Sequence, residues 1–242
     1  MSARQTRDHM FIVGHRGARA VCPENSISAL KVGMKCADFV EIDIRLTKDG
    51  IPVILHDATL DRTTDGNGPV HEKTLTEIRM FDAGDGRAVP TLQEVCDLCL
   101  STCGIVAEIK EPGSEEAICG IIGEYSFDAF WVVSFHPESI RKVKRLLPQI
   151  KTGFICDTDC TDPFALVHAI GADAILPRTD TITPDFTAKA HRRGLSVILW
   201  TLNSPEAYQR AAACEADGWV TDDPCRLRAW LNRSRKDNGI II

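Results

Sequence analysis

Two short apolar runs end in histidine: Phe11-Ile12-Val13-Gly14-His15 and Pro52-Val53-Ile54-Leu55-His56. Imidazole has the ordinary pKa nearest neutrality, so two of them flanking one scissile bond can act in turn as base and acid. Two further runs carry charge at every second position. In Val40-Glu41-Ile42-Asp43-Ile44-Arg45 a strand's period of two sets Glu41, Asp43 and Arg45 on one face. In Ile105-Val106-Ala107-Glu108-Ile109-Lys110 the same period pairs Glu108 with Lys110 opposite Ile109. Carboxylates gathered without His or Cys suit a hard divalent cation, Mg²⁺ or Ca²⁺, in preference to Zn²⁺. One such ion also lets Glu41, Asp43 and Glu108 stay ionised together, since crowded negative charges otherwise drive a pKa upward. The competing reading is an interior salt-bridge network of Glu41, Asp43, Arg45, Glu108 and Lys110, which rarely adds to stability. A single histidine at a strand end is more often structural than reactive. The coincidence of two with the acids is what favours chemistry.

Other candidates carry less. Trp200 follows Val197-Ile198-Leu199 and Phe135 closes Trp131-Val132-Val133-Ser134, so either ring is a ligand wall or a core aromatic. His136 precedes Pro137 at a helix start and shapes that junction or touches a ligand. His71 reads as exposed, and His168 and His191 as solvated or locally capping helix residues. Asn25 reads as the N-cap of the first helix, with Glu24 beside it positioning the loop after His15.

Bringing these side chains together requires strands whose ends meet. Short β-branched runs alternate with helical segments along the whole chain, without a Pro/Ser/Gly linker, which predicts one α/β domain over 1–242. Strands are expected at 10–14, 39–45, 105–110, 131–135, 152–156, 174–177, 195–201 and 218–221. Eight such strands predict a TIM (β/α)8 barrel, whose sites sit at the C-terminal mouth. Helices are expected at 25–36, 91–103, 137–147, 163–170, 184–193 and 205–214, four of them opening on Pro. Lys48-Asp49-Gly50 joins 39–45 to an extra strand at 51–56 by a hairpin turn. Residues 58–89, rich in Thr, Asp and Gly, read as a loop-dominated insertion of the functional kind.

With 44% apolar residues the chain is not disordered, and a net charge of −6 without a long Lys/Arg stretch argues against nucleic acid. Met1 to Met10 lacks an apolar export signal, and no window reaches the 18 apolar residues of a membrane span. The expectation is a soluble cytoplasmic protein without stable membrane association and with its ten cysteines reduced. Cys96, Cys99 and Cys103 fall on one helical face and read as buried thiols. Oligomeric state is not legible.

In order along the chain, His15-Arg16-Gly17, Pro23-Glu24-Asn25-Ser26, Glu41-Ile42-Asp43, His56-Asp57 and Glu108-Ile109-Lys110 resemble the glycerophosphodiester phosphodiesterase family, in its bacterial and archaeal cytoplasmic form. Arg62-Thr63-Thr64-Asp65-Gly66, Pro90-Thr91-Leu92, Ser134-Phe135, Trp200-Thr201 and Thr221-Asp222-Asp223-Pro224 extend the resemblance over nearly the whole chain. It implies a TIM barrel that uses one divalent metal to hydrolyse small glycerophosphodiesters, such as glycerophosphocholine and glycerophosphoethanolamine, to sn-glycerol 3-phosphate and an alcohol. It further implies His15 and His56 as general acid and base, Glu41, Asp43 and Glu108 as metal ligands, and Arg16 and Lys110 as phosphate binders. Three acids, a dication and two cations leave one positive charge, which a diester monoanion neutralises. The resemblance leaves open whether the glycerol 2-hydroxyl or water attacks phosphorus. Trp200 and Phe135 would flank the glycerol half.

Three rivals fit less well. A lipid-cleaving phosphodiesterase needs an apolar or basic docking loop, which 58–89 lacks. A Schiff-base aldolase acting through Lys110 has no use for converging metal ligands. A non-catalytic diester-binding protein would not need the full set of acid, base and metal positions.

Overall fold

The computed structural model describes residues 10–126, 129–157 and 160–238. The expected strands form β1 (Phe11–Gly14), β2 (Phe39–Leu46), β3 (Pro52–Ile54), β4 (Gly104–Ile109), β5 (Phe130–Ser134), β6 (Lys151–Cys156), β7 (Ala174–Pro177), β8 (Ser196–Leu199) and β9 (Gly218–Thr221). Their order is β1-β9-β8-β7-β6-β5-β4-β2-β3, and a further β1–β2 pairing closes the ring. All ring pairs are parallel, and only β3 runs antiparallel to β2. The architecture is the expected eight-stranded parallel barrel with surrounding helices.

Both faces of each barrel strand are buried, which is why these runs carry so many Val, Ile and Leu residues. Val13, Val106, Val133, Ile155, Ala174, Leu176, Ile198 and Val220 fill the barrel interior. Their neighbours in sequence, such as Ile12, Ile105, Ile175 and Val197, point outward and pack beneath the helices. Those helices are α1 (Ile27–Gly33), α2 (Leu75–Ile78), α3 (Leu92–Cys99), α4 (Glu115–Ile122), α5 (Pro137–Leu146), α6 (Pro163–Ile170), α7 (Pro184–Arg192), α8 (Pro205–Ala213) and α9 (Pro224–Asn238). Thr91 opens α3 with a reciprocal capping box to Glu94, and Pro begins α5, α6, α7 and α8 as expected. At Gly17 (φ +82°) a Cβ would meet the α1 backbone at 2.5 Å, so the turn that carries His15 can lie against α1 only with glycine there.

The β2–β3 hairpin turns through Gly50 (φ +77°), and β3 pairs Ile54 with Ile44 on its way back. Leu55 N–H then donates to Asp43 C=O at 2.9 Å, so the hairpin returns His56 to the level of Asp43. The 58–89 excursion is more ordered than a loop: it contains a 3₁₀ turn at Val70–Glu72, helix α2 and a small apolar cluster of its own including Leu60, Val70, Ile78 and Val89.

The expected redox state of the cysteines is overturned. The cysteines are not all reduced: Cys36 and Cys225 form a disulfide, their Cα atoms 4.9 Å apart and 189 residues separated in sequence. Barrel closure causes this proximity, because it sets α9 against the segment leaving α1, where Arg228 also donates to Cys36 C=O at 2.9 Å and forks onto Asp38. Cys96 and Cys99 are buried thiols as expected, pushed up to about 12 by burial. Among the described residues, no helix is long and apolar enough to cross a membrane.

Candidate active site

Strands β2 and β4 pair in a register that sets Asp43 beside Glu108, with Glu41 two residues earlier on the same face. All three are buried, and one carboxylate oxygen from each lies within 4.8 Å of the others. Glu41 Oε2 accepts the Arg16 backbone N–H at 2.7 Å, while Oε1 is buried without a hydrogen-bond partner. Asp43 Oδ2 accepts Asn25 Nδ2 at 2.8 Å and lies 3.2 Å from Arg16 Nε. Lys110 Nζ donates to Glu108 Oε1 at 2.7 Å and lies 3.3 Å from Asp43 Oδ1.

Burial, together with neighbouring negative charge, pushes the Glu41 and Glu108 carboxyls well above their ordinary range. Burial also works to raise Asp43, but Lys110 and Arg16 outweigh it and hold that carboxyl low. An orphaned buried oxygen within an all-oxygen set that repels itself fits a hard divalent cation.

Asn25 departs from its expected role. Ser26 is the N-cap of α1, its hydroxyl accepting Ala29 N–H at 3.1 Å. Asn25 instead adopts the left-handed region (φ +58°), which asparagine tolerates better than most residues, and turns its amide onto Asp43.

The two imidazoles are held in the same manner. His15, one residue past β1, sets Nδ1 2.6 Å from Asp222 Oδ1, and its Nε2 lies 4.0 Å from Glu41 Oε2. Asp222 follows β9 and is itself fixed by Asn203 Nδ2 at 2.9 Å. His56 sets Nδ1 2.7 Å from Asp57 Oδ1, and Arg62 Nε holds the other Asp57 oxygen at 2.6 Å. A carboxylate on Nδ1 selects the tautomer with the hydrogen there, leaving Nε2 free to exchange a proton in each ring. Burial holds His56 below the ordinary imidazole range against the pull of Asp43 and Asp57.

The remaining expected residues divide. Arg16 is buried, its guanidinium beside Asp43 and donating to Glu24 Oε1 at 2.7 Å, so it and Lys110 flank the carboxylates. Phe135 and Trp200 follow β5 and β8 and meet edge to face, ring centroids 5.7 Å apart. Trp200 is anchored by Nε1 donating to Leu176 C=O at 2.7 Å and packs on the barrel interior, while Phe135 is partly exposed at 38%. Arg45 leaves the acid group: its Nε donates to His56 C=O at 2.9 Å and its Nη1 to Glu111. His71 and His168 are exposed, and His191 bonds Asp217 at 2.8 Å away from the acids. His136 occupies the N-cap position of α5 without capping it.

Asp57, Arg62, Asn203 and Asp222 carried no expected role. The available signal was an acid next to His56 and another just past the last barrel strand, where barrel sites are built.

The model for the glycerophosphoryl diester phosphodiesterase family matches residues 15–226 of this chain. A glycerophosphodiester phosphodiesterase of Caldanaerobacter subterraneus subsp. tengcongensis is 36% identical over 241 residues, covering 93% of this chain and 98% of the relative. The solved glycerophosphodiester phosphodiesterase of Agrobacterium tumefaciens str. C58 superposes with TM-score 0.79 at 26% identity, covering 91% of this chain and 100% of the other. An Oleispira antarctica phosphodiesterase, solved in complex with the product sn-glycerol-3-phosphate, superposes with TM-score 0.85 over 92% of this chain and 96% of the other. At 24% identity it shows the fold alone.

Proposed function

Since this chain belongs to the glycerophosphoryl diester phosphodiesterase family and is a phosphodiester hydrolase, we propose that it hydrolyses water-soluble glycerophosphodiesters to sn-glycerol 3-phosphate and an alcohol, with metal held by Glu41, Asp43 and Glu108. The supporting observation is the pair of carboxylate-held imidazoles, His15 and His56, beside a buried acid triad with an unpartnered oxygen. The cation, Mg²⁺ or Ca²⁺, supplies Lewis-acid withdrawal of charge from a phosphoryl oxygen when bound.

The chain's own groups do the rest. Arg16 and Lys110 bind the phosphodiester and stabilise the charge that grows on its oxygens in the transition state. One imidazole starts neutral and takes the nucleophile's proton at Nε2, while the other starts as imidazolium and gives its Nε2 proton to the departing alkoxide oxygen; the two exchange roles when water opens the cyclic phosphate. Asp57 and Asp222 hold both rings and stabilise whichever becomes imidazolium. The glycerol 2-hydroxyl is the nucleophile in this reading: its oxygen bonds to phosphorus as the alcohol leaves, and water then opens the cyclic phosphate. Being on the same molecule, that hydroxyl reacts with a large proximity advantage. Trp200 and Phe135 wall the glycerol half, leaving the alcohol half to solvent.

Turnover of glycerophosphocholine, its 2-deoxyglycerol analogue and bis(p-nitrophenyl) phosphate tests the reading. Fast cleavage of the first alone is expected. Equal rates on the analogue remove the cyclic route, and equal rates on the simple diester remove glycerol recognition.

A further inference from the structure

The excursion between β3 and α3 sends one side chain back over the mouth. Arg62 donates from Nε to Asp57 Oδ2 at 2.6 Å and from Nη1 to Glu24 Oε2 at 3.0 Å. Its Nη2 reaches both acids, Glu24 Oε1 at 2.7 Å and Asp57 Oδ1 at 3.1 Å. Those two oxygens are the ones the site already uses. Glu24 Oε1 also accepts from Arg16 Nη1 at 2.7 Å, and Asp57 Oδ1 lies 2.7 Å from His56 Nδ1. A single nitrogen therefore completes an unbroken path from Arg16 through Glu24, Arg62 and Asp57 to His56.

Stability alone does not account for such a clamp. The Arg62 side chain is 48% exposed, although Glu24 beneath it is only 11% exposed, so water screens the clamp at the Arg62 end and its ion pairs add modestly to folding. Its planar fork does something a lysine point charge cannot: it grips two carboxylates at once and fixes their relative orientation. The clamp also spans elements that the barrel does not tie directly, the β1–α1 connection that bears Glu24 and the segment after β3 that bears Asp57. We infer that Arg62 is a positioning residue that sets a proton-transfer imidazole, through Asp57, and a phosphate-binding guanidinium, through Glu24, in mutual register. The inference rests on the hydrolase reading above and gives part of the 58–89 excursion a catalytic purpose without substrate contact. The Asp57 arm acts on turnover, and the Glu24 arm acts on substrate affinity and, through the Arg16 contact with the phosphoryl oxygens, on a smaller part of turnover.

The test combines kinetics on glycerophosphocholine with the ¹⁵N shifts of the His56 imidazole, in wild type, R62Q, R62K, H56A and H56A/R62Q. R62Q is expected to lower kcat by about 10- to 100-fold, because a displacement of a reacting group by about 1 Å costs up to that much. Its melting midpoint is expected to move by less than about 3 °C. R62K recovers only part of the loss. R62Q is also expected to raise KM, and on the H56A background most of its effect on kcat vanishes while that rise in KM persists. In wild type the imidazole holds its hydrogen on Nδ1; in R62Q the two tautomers mix. Wild-type kcat and KM in R62Q overturn the inference, as does a full further loss of kcat on the H56A background. Should wild type leave glycerophosphocholine intact, the hydrolase reading fails by itself. The imidazole shifts still decide the matter for Arg62, because an unchanged tautomer in R62Q overturns its role without any turnover being measured.

Discussion

At the scale of single residues, each imidazole is defined by the oxygen on its Nδ1, Asp222 for His15 and Asp57 for His56. H15A and H56A are therefore expected to lower kcat by at least about 10²-fold with the fold retained, the usual contribution of general acid–base groups. D222N should fall in the same direction, because an amide can present its NH₂ to Nδ1 and favour the wrong tautomer. Steady-state rates, with circular dichroism as the folding control, check all three variants; near-normal turnover in H15A or H56A removes that ring from the mechanism. Glu24 carries a different signature. Burial works to raise its carboxyl from 4.5, yet the Arg62 hydrogen bonds and the Arg16 charge hold it at about 2. Since the folded pKa is the lower one, the stabilisation is present above about pH 4.5 and is lost as pH falls through about 2. The difference in unfolding free energy between wild type and E24Q should shrink across that window, and a difference constant across it would contradict the assignment.

Among elements, the decisive one is the β2–β4 ladder, whose register faces Asp43 with Glu108. E108Q keeps the shape and removes a carboxylate charge, so calorimetric titration with Mg²⁺ and Ca²⁺ should show affinity reduced by at least about tenfold. Unchanged affinity in E108Q would take Glu108 out of the ligand set. These strands were legible because their alternation is strict: Glu41, Asp43, Glu108 and Lys110 interrupt apolar runs at even spacing, which a buried strand tolerates only at a site. Other elements left weaker traces. Helix α4 was not anticipated because it is short and holds Gly120 in its interior, which costs helix propensity. Helix α9 was also unannounced; Leu227 and Leu231 are fully or nearly buried at an i, i+4 spacing, but the rest of its sequence is largely polar. Asn25 read as a cap because Asn and Ser both suit that position, and only the backbone shows that Ser26 took it and freed Asn25 for Asp43.

For the molecule as a whole, what sequence spacing could not convey is contact across the closed barrel. His15 and Asp222 are 207 residues apart yet 2.6 Å from each other, and Cys36 meets Cys225 by the same closure of β9 onto β1. The disulfide ties the last helix to the first βα unit over a long loop, so C225S is expected to lose about 2–4 kcal/mol of unfolding free energy. Urea unfolding with and without reductant checks this; wild-type curves that coincide under both conditions contradict a stabilising disulfide. If the buried acids and the two carboxylate-held imidazoles form one metal-dependent glycerophosphodiesterase site, removing the metal must stop the reaction and restoring it must restart it. Phosphorus NMR of glycerophosphocholine incubated with the EDTA-stripped protein, and then with Mg²⁺ or Ca²⁺ restored, should show no sn-glycerol 3-phosphate before the metal and its steady appearance after. Undiminished turnover by the stripped protein, or none with either metal restored, would contradict it.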